Sequence, residues 1–287
     1  MYLNITTTAG CRGRCVFCPQ DRFWAAMAGR PALLTPEELT ALLPNLRGTR
    51  FRAFAFGGFS EPFDNPEILE LFEITAAQDF VDATWVHTTG EALDPEMVAR
   101  ISRIRFDVFD VSCQGSGPGP HAKARPFIDE DRVMGNVHHL LRNRENIRQL
   151  TISVSGPFMP EAQVEDLRRA CERHGAHLDR RDLHDRAGLL KVGRRRTAVG
   201  GPFRCGKHDF RKPVLLPGGD LSLCCQDFAL EHIIGNLHAM TFARILEESP
   251  LRRRVLSVAD GVATDDGLSC YRCEFCIPTR VAAPQPD

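Results

Sequence analysis

The chain has 287 residues, 36 of them Lys or Arg and 37 Asp or Glu, for a formal net charge of −1. That balance gives no general electrostatic case for binding nucleic acid or a membrane surface, the N-terminus lacks a charged-then-apolar secretory pattern, and no apolar stretch reaches membrane-spanning length. The length suffices for a large core and two domains, while 11 cysteines in a chain of this size do not read as the disulfide framework of a small secreted protein, so the thiol-reducing cytoplasm is the expected compartment.

A β-branched run from Tyr2 to Thr8 predicts a first strand, which leads directly into Cys11, Cys15 and Cys18, spaced C-x3-C-x2-C. Three thiolates so close together can hold three corners of an iron–sulfur cube while the fourth iron stays open for chemistry. Zinc is the alternative, but a structural zinc site wants four ligands, and no fourth cysteine or histidine follows soon after Cys18. Thr35-Pro36-Glu37-Glu38, Asn65-Pro66-Glu67 and Asp94-Pro95-Glu96 each set a capping side chain before a proline, predicting three helix starts. Leu39, Leu42, Leu43 and Leu46, then Met97, Val98, Ile101 and Ile104, follow at helical period.

Apolar runs bounded by turn residues predict strands at 51–56, 83–88, 106–112 and 150–155. A helix from about Glu161 to His174 stops at Gly175, and a sixth strand covers 176–183. Six strand–helix alternations predict an α/β fold with a parallel sheet and right-handed crossovers. In such sheets chemistry gathers at the C-terminal ends of the strands. Cys113 and Cys171 read as core.

Composition shifts after residue 185. Arg186-Ala187-Gly188 leads into a basic linker, Val192 to Gly201, which contains Arg194-Arg195-Arg196 and reads as a solvated face. The boundary is expected near 186–200, dividing the chain into domains 1–185 and 186–287. The second part carries Cys205, Cys224-Cys225 and Cys270-x2-Cys273-x2-Cys276. Four thiolates would close a second cluster, and a four-cysteine zinc site is the competing reading. Ala282 to Asp287 read as disordered.

A strand running into C-x3-C-x2-C, with Phe17 just before the third cysteine, resembles the radical S-adenosylmethionine (radical SAM) superfamily. The resemblance implies a partial (β/α)6 TIM-like barrel and a [4Fe–4S] cluster on Cys11, Cys15 and Cys18. It also implies S-adenosyl-L-methionine (SAM) chelating the open iron, and an external electron donor such as flavodoxin or ferredoxin. It places the cofactor near Phe17, against Gly57-Gly58, with Glu61 pairing with its ammonium group and Thr88, Ser112 and Arg125 near its ribose or carboxylate. Ordinary strand-end hydrogen bonding is the competing reading for Thr88 and Ser112.

Cys205, Gly219-x4-Cys224 and Cys270-x2-Cys273 resemble the SPASM/twitch type of auxiliary [4Fe–4S] domain in its shorter, twitch form. Cys225 and Cys276 are extra thiols, and either can replace a neighbour. Small twitch enzymes of the aminocyclitol dehydrogenase kind are the most similar, which implies oxidation of a small polar metabolite with the auxiliary cluster accepting an electron. Arg186 and Asp227 are then the catalytic candidates, against a competing reading as plain ion pairs. A first strand beginning almost at Met1 favours a small-molecule substrate over a leader-bearing peptide. The alternatives carried are a maturase that modifies a ribosomal peptide and a non-catalytic, metal-stabilised binding protein.

Overall fold

The computed structural model describes residues 1–192, 201–207, 212–259 and 267–279. The basic run at 194–196 and the last residues, 282–287, lie outside them. Six strands, β1 (Tyr2–Ile5), β2 (Ala53–Phe56), β3 (Thr84–Thr88), β4 (Phe106–Ser112), β5 (Ile147–Ser155) and β6 (His177–Arg181), pair in that order and all in parallel. Seven helices run between them: α1 (Gln20–Met27), α2 (Pro36–Leu46), α3 (Ile68–Ala76), α4 (Pro95–Ile101), α5 (Pro120–Ala124), α6 (Glu130–Arg142) and α7 (Glu161–Arg173). This is the expected α/β partial barrel.

Local signals set several of the boundaries. Thr35 accepts from the Glu38 N–H and Asp94 from the Met97 N–H, so α2 and α4 begin as the capping pattern predicts. Asn65 does both jobs. Its Oδ1 accepts from the Glu67 N–H at 2.9 Å, its amide donates to the carbonyls of Thr7 and Leu34, and α3 itself starts after Glu67. The helix α6, capped by Asp129, buries Val133, Val137, Leu140 and Leu141 on one face, a periodic signal the strand-by-strand reading passes over.

The sheet does not stop at the expected boundary. β8 (Val214–Leu215) pairs in parallel with the outer flank of β1, and β9 (Asp220–Ser222) and β10 (Ile233–Asn236) extend it antiparallel. The resulting order is β10-β9-β8-β1-β2-β3-β4-β5-β6. β7 (Phe203–Cys205) and β11 (Cys276–Pro278) form a separate antiparallel ribbon, and α8 (Phe242–Glu248) and α9 (Pro250–Ala259) lie between β10 and β11 in the chain. No helix among the described residues is long and apolar enough to cross a membrane.

Strand alternation divides the barrel into two environments. Leu3, Ile5, Phe54, Phe56, Val86, Phe109, Val111, Leu150 and Ile152 belong to the buried core that the helices cover. Phe56, Phe72, Phe106 and Phe109 continue edge-to-face through it. The intervening positions, among them Asn4, Ala55, His87, Asp110 and Ser153, line a cavity of about 680 Å³ in the barrel's interior.

Candidate active site

The cysteine loop begins where β1 ends. Gly10 has φ +154°, and a Cβ built there would stand 1.5 Å from Trp24 Nε1, so only glycine lets the chain turn here. Gln20, buried at the start of α1, then fastens the loop. Its Oε1 accepts from the Cys11 N–H at 3.2 Å, and its Nε2 donates to Cys18 Sγ at 3.4 Å and to the Phe59 carbonyl at 2.7 Å. The Gly13 N–H points at Cys11 Sγ, 3.4 Å away. Gln20 therefore ties two of the three cysteines to the loop after β2, a role the cysteine spacing alone does not reveal.

Electrostatics keep these thiols neutral in the absence of a bound group. Burial pushes Cys11 up, and the Glu61 charge adds to it. Burial also raises Cys15, to about 12, against the pull of Arg125, and raises Cys18 against the pull of Arg186. Cys11 and Cys15 repel one another as thiolates, as do Cys15 and Cys18, so the three share one neighbourhood. Metal binding must displace their protons. Three soft sulfur donors suit iron–sulfur or zinc chemistry rather than a hard cation. Among the described residues no three His, Cys, Asp or Glu side chains converge on a single-ion position.

Beside the loop, Gly57 (φ +147°) and Gly58 (φ +55°) turn the chain at the end of β2 and line the cavity, as does Phe17, which stacks on Phe158 at 5.7 Å. Glu61 does not face it. The side chain is buried, and its two oxygens accept from Thr88 Oγ1 at 2.6 Å, the Thr89 N–H at 2.6 Å and the Phe63 N–H at 3.2 Å. Glu61 and Thr88 thus lock the loop after β2 to the end of β3 rather than opening toward a ligand. Burial raises the Glu61 carboxyl, although each of those hydrogen bonds opposes it.

Ser112 ends β4 at the cavity wall. Arg125, 1% exposed, donates to the carbonyls of Ser112 (2.9 Å) and Thr89 (3.3 Å), and its Nε faces Glu130 Oε1 at 3.0 Å. That contact is an ion pair without the straight geometry of a hydrogen bond. Arg125 therefore joins the ends of β3 and β4 and sits close enough to Cys15 to favour its thiolate.

A second group of thiols lies beyond β6. Cys205, Cys224, Cys270, Cys273 and Cys276 line one small cavity. The register of β7 and β11 sets Cys205 opposite Cys276. Burial leads in pushing Cys273 up to about 12 and in raising Cys224 and Cys270, and the thiols repel one another as thiolates. The two extra cysteines part company here. Cys276 joins the thiol cavity, whereas Cys225 lines the barrel's interior cavity. Gln226, 2% exposed, lines both.

The two catalytic candidates also part. Arg186, at φ +50°, lines the interior cavity with its guanidinium 5.6 Å from the Phe228 ring, and its buried Nε has no hydrogen-bond partner. Asp227, expected at the substrate, lines the thiol cavity and not the interior one. Its carboxylate accepts from the N–H groups of Glu231 (3.0 Å) and His232 (2.7 Å), closing the turn after the cysteine pair.

Pairing of polar residues at period two marks what the motif reading overlooks. Asp110 and Ser112 on β4, and Ser153 and Ser155 on β5, point inward together. Across the cavity, His184 Nδ1 lies 2.7 Å from Glu274 Oε1, a carboxylate between Cys273 and Cys276 that also takes the Asp185 N–H.

A sequence model of the Radical SAM superfamily matches residues 5–173, more than half of the chain. No curated protein matches it. Among solved structures, BtrN in complex with AdoMet and 2-DOIA has a TM-score of 0.57 at 13% identity, covering 96% of this chain and 92% of its own. Streptococcus suis SuiB bound to precursor peptide SuiA has a TM-score of 0.65 at 11% identity, covering 96% of this chain and 69% of its own. Native anSMEcpe with bound AdoMet and Cp18Cys peptide has a TM-score of 0.59 at 13% identity, covering 96% and 86%. At these identities the likeness is one of fold.

Proposed function

The chain belongs to the radical SAM superfamily, and from that premise we propose that it oxidises a small polar metabolite by radical chemistry. Family membership implies a [4Fe–4S] cluster and SAM. Cys11, Cys15 and Cys18 would hold the cluster, which, with SAM bound and an external electron donor such as flavodoxin or ferredoxin, would supply deoxyadenosyl-radical chemistry for removing a hydrogen atom from the substrate.

The remaining work falls to this chain's own residues. Gly57 and Gly58 admit the cofactor close to the backbone. Phe17, with its ring at the cavity wall, packs against the cofactor, and Ser112, on the same wall, meets its polar groups. Arg125 and Thr88 act from behind that wall by holding strand ends in place, as does Glu61. Arg186, whose cationic side chain lines the cavity, binds an oxygen or anionic substituent of the substrate.

The observation that carries the oxidase reading is the wall shared by the two spaces. A cavity of about 680 Å³ has room for a cofactor and a small substrate, and Gln226 lines both it and a pocket of five thiols. Cys205, Cys224, Cys270 and Cys273, with Cys276 as a fifth candidate, would hold an auxiliary [4Fe–4S] cluster there. Such a cluster is a one-electron acceptor within a side chain's reach of the substrate.

A peptide is the competing substrate, favoured by the peptides bound in the SuiB and anSMEcpe structures. The test is incubation of reconstituted enzyme with SAM, dithionite and a panel of sugars, cyclitols and amino sugars deuterated at their carbinol carbons. Transfer of deuterium to deoxyadenosine together with ketone formation is expected. SAM cleavage that never acquires deuterium from any member of the panel eliminates the metabolite reading.

A further inference from the structure

One polar cluster inside the barrel has no part in the roles assigned above. His87, the penultimate residue of β3, turns its ring into the interior cavity with 44% of the side chain exposed. Its Nδ1 lies 3.2 Å from Asp110 Oδ2. Asp110 is 4% exposed and fully engaged, since Ser153 Oγ donates to its Oδ1 at 2.7 Å and Arg181 Nη2 lies 2.6 Å from its Oδ2. Burial works to raise this carboxyl. The hydrogen bond and charge of His87 outweigh that effect together with Arg181 and Ser153, and they hold it below the usual carboxylate range.

The consequence for the imidazole is a fixed orientation. An ionised Asp110 only accepts, so His87 donates through Nδ1, and in the neutral form of the ring that leaves the lone pair on Nε2. Arg181 is the second cation on the same carboxylate oxygen. The ring's other edge faces the loop after β2, because a Cβ built on Gly57 would lie 3.6 Å from His87 Cδ2, the atom bonded to Nε2. The other charged groups around the cavity are Asp182, His184, Arg186, Lys207 and Lys212. Of these, Arg186 has no acceptor lone pair, and His184 already meets Glu274.

We propose that His87, oriented by Asp110, accepts the hydroxyl proton of the substrate when its alcohol carbon is oxidised. The inference rests on the oxidase reading above. The carbinol C–H hydrogen atom passes to the deoxyadenosyl radical, and the O–H proton passes to Nε2 of His87. The remaining unpaired electron passes to the one-electron acceptor, an oxidised iron–sulfur cluster at the thiol pocket. Two hydrogens and two electrons leave the alcohol, and a ketone remains. Asp110 is a positioning residue, whereas His87 touches the reacting hydroxyl.

The test uses reconstituted holoenzyme and the deuterated alcohol that the wild type turns over. His87→Gln is expected to pass deuterium to deoxyadenosine while its ketone yield per deoxyadenosine falls at least about tenfold. The acid limb of the wild-type pH profile should vanish in His87→Gln and shift in Asp110→Asn. SAM affinity measured by equilibrium dialysis should stay within about twofold of wild type, and added imidazole should restore ketone yield to His87→Ala. A His87→Gln enzyme with wild-type ketone yield and an intact acid limb overturns the proposal. So does one whose defect is wholly weakened SAM binding, which would make the ring a cofactor contact. If the wild type itself forms no ketone from any alcohol, the oxidase reading has failed and the proton acceptor falls with it.

Discussion

Gly58 sits at φ +55° directly above Thr6, and a Cβ there would approach Thr6 Oγ1 to 2.3 Å. That oxygen already accepts the Phe59 N–H at 3.1 Å. Gly58→Ala is therefore expected to cost about 1–3 kcal/mol in urea unfolding and to weaken SAM binding, because the loop must move away from the cysteines. Arg125 is the second residue whose neighbours fix its value. Arg125→Met leaves Glu130 buried and unpaired, and a loss of about 3–5 kcal/mol is expected in the same measurement. Glu130→Gln in the same chain should recover part of it. Arg125 was legible in the sequence only through the family resemblance. Its partner Glu130 was not, because nothing local shows that a residue at the start of α6 returns to the end of β4.

At the scale of elements, the loop after β9 sends neighbouring thiols in opposite directions. Cys224 enters the five-thiol pocket and Cys225 the barrel interior. Cys224→Ser is expected to lower the iron content of reconstituted protein by about half, while Cys225→Ser leaves it unchanged. Iron quantification together with the visible absorption of the cluster decides between them. Sequence spacing left this choice open because C-C in a loop carries no periodicity. Where a signal was local, as at Thr35 and Asp94, it set a helix start correctly. At Asn65 the side chain caps the Glu67 N–H as the pattern predicts, while its amide also reaches the carbonyls of Thr7 and Leu34, distant in the chain, and α3 itself begins at Ile68. The inward-facing polar residues of β4 and β5 were legible as alternation, but not as a network with β3 and β6.

For the whole molecule, the buried thiols make a stability prediction that depends on pH. In the metal-free protein the Cys15 and Cys113 thiols are raised by burial from 9.0 to about 12. A group raised in the folded state favours folding below its unfolded value, and that contribution is lost as pH climbs toward the folded one. The thermal midpoint of the metal-free protein should therefore fall between pH 9 and about 12. The metal-free triple variant Cys11, Cys15, Cys18→Ala should show a shallower decline, and after reconstitution it should take up iron in the second pocket alone.

β1 gains its outer neighbour late. The Asn4 side chain reaches the carbonyl of Lys212, 208 positions further on, and β8 zips in parallel along the same flank. During synthesis on the ribosome that flank stays bare until most of the polypeptide has emerged, which is the slow, non-local kind of strand pairing. The nascent barrel is thus expected to need sheltering by chaperones, and a gene fragment ending near codon 185 should yield a product that sticks to itself through an uncapped rim.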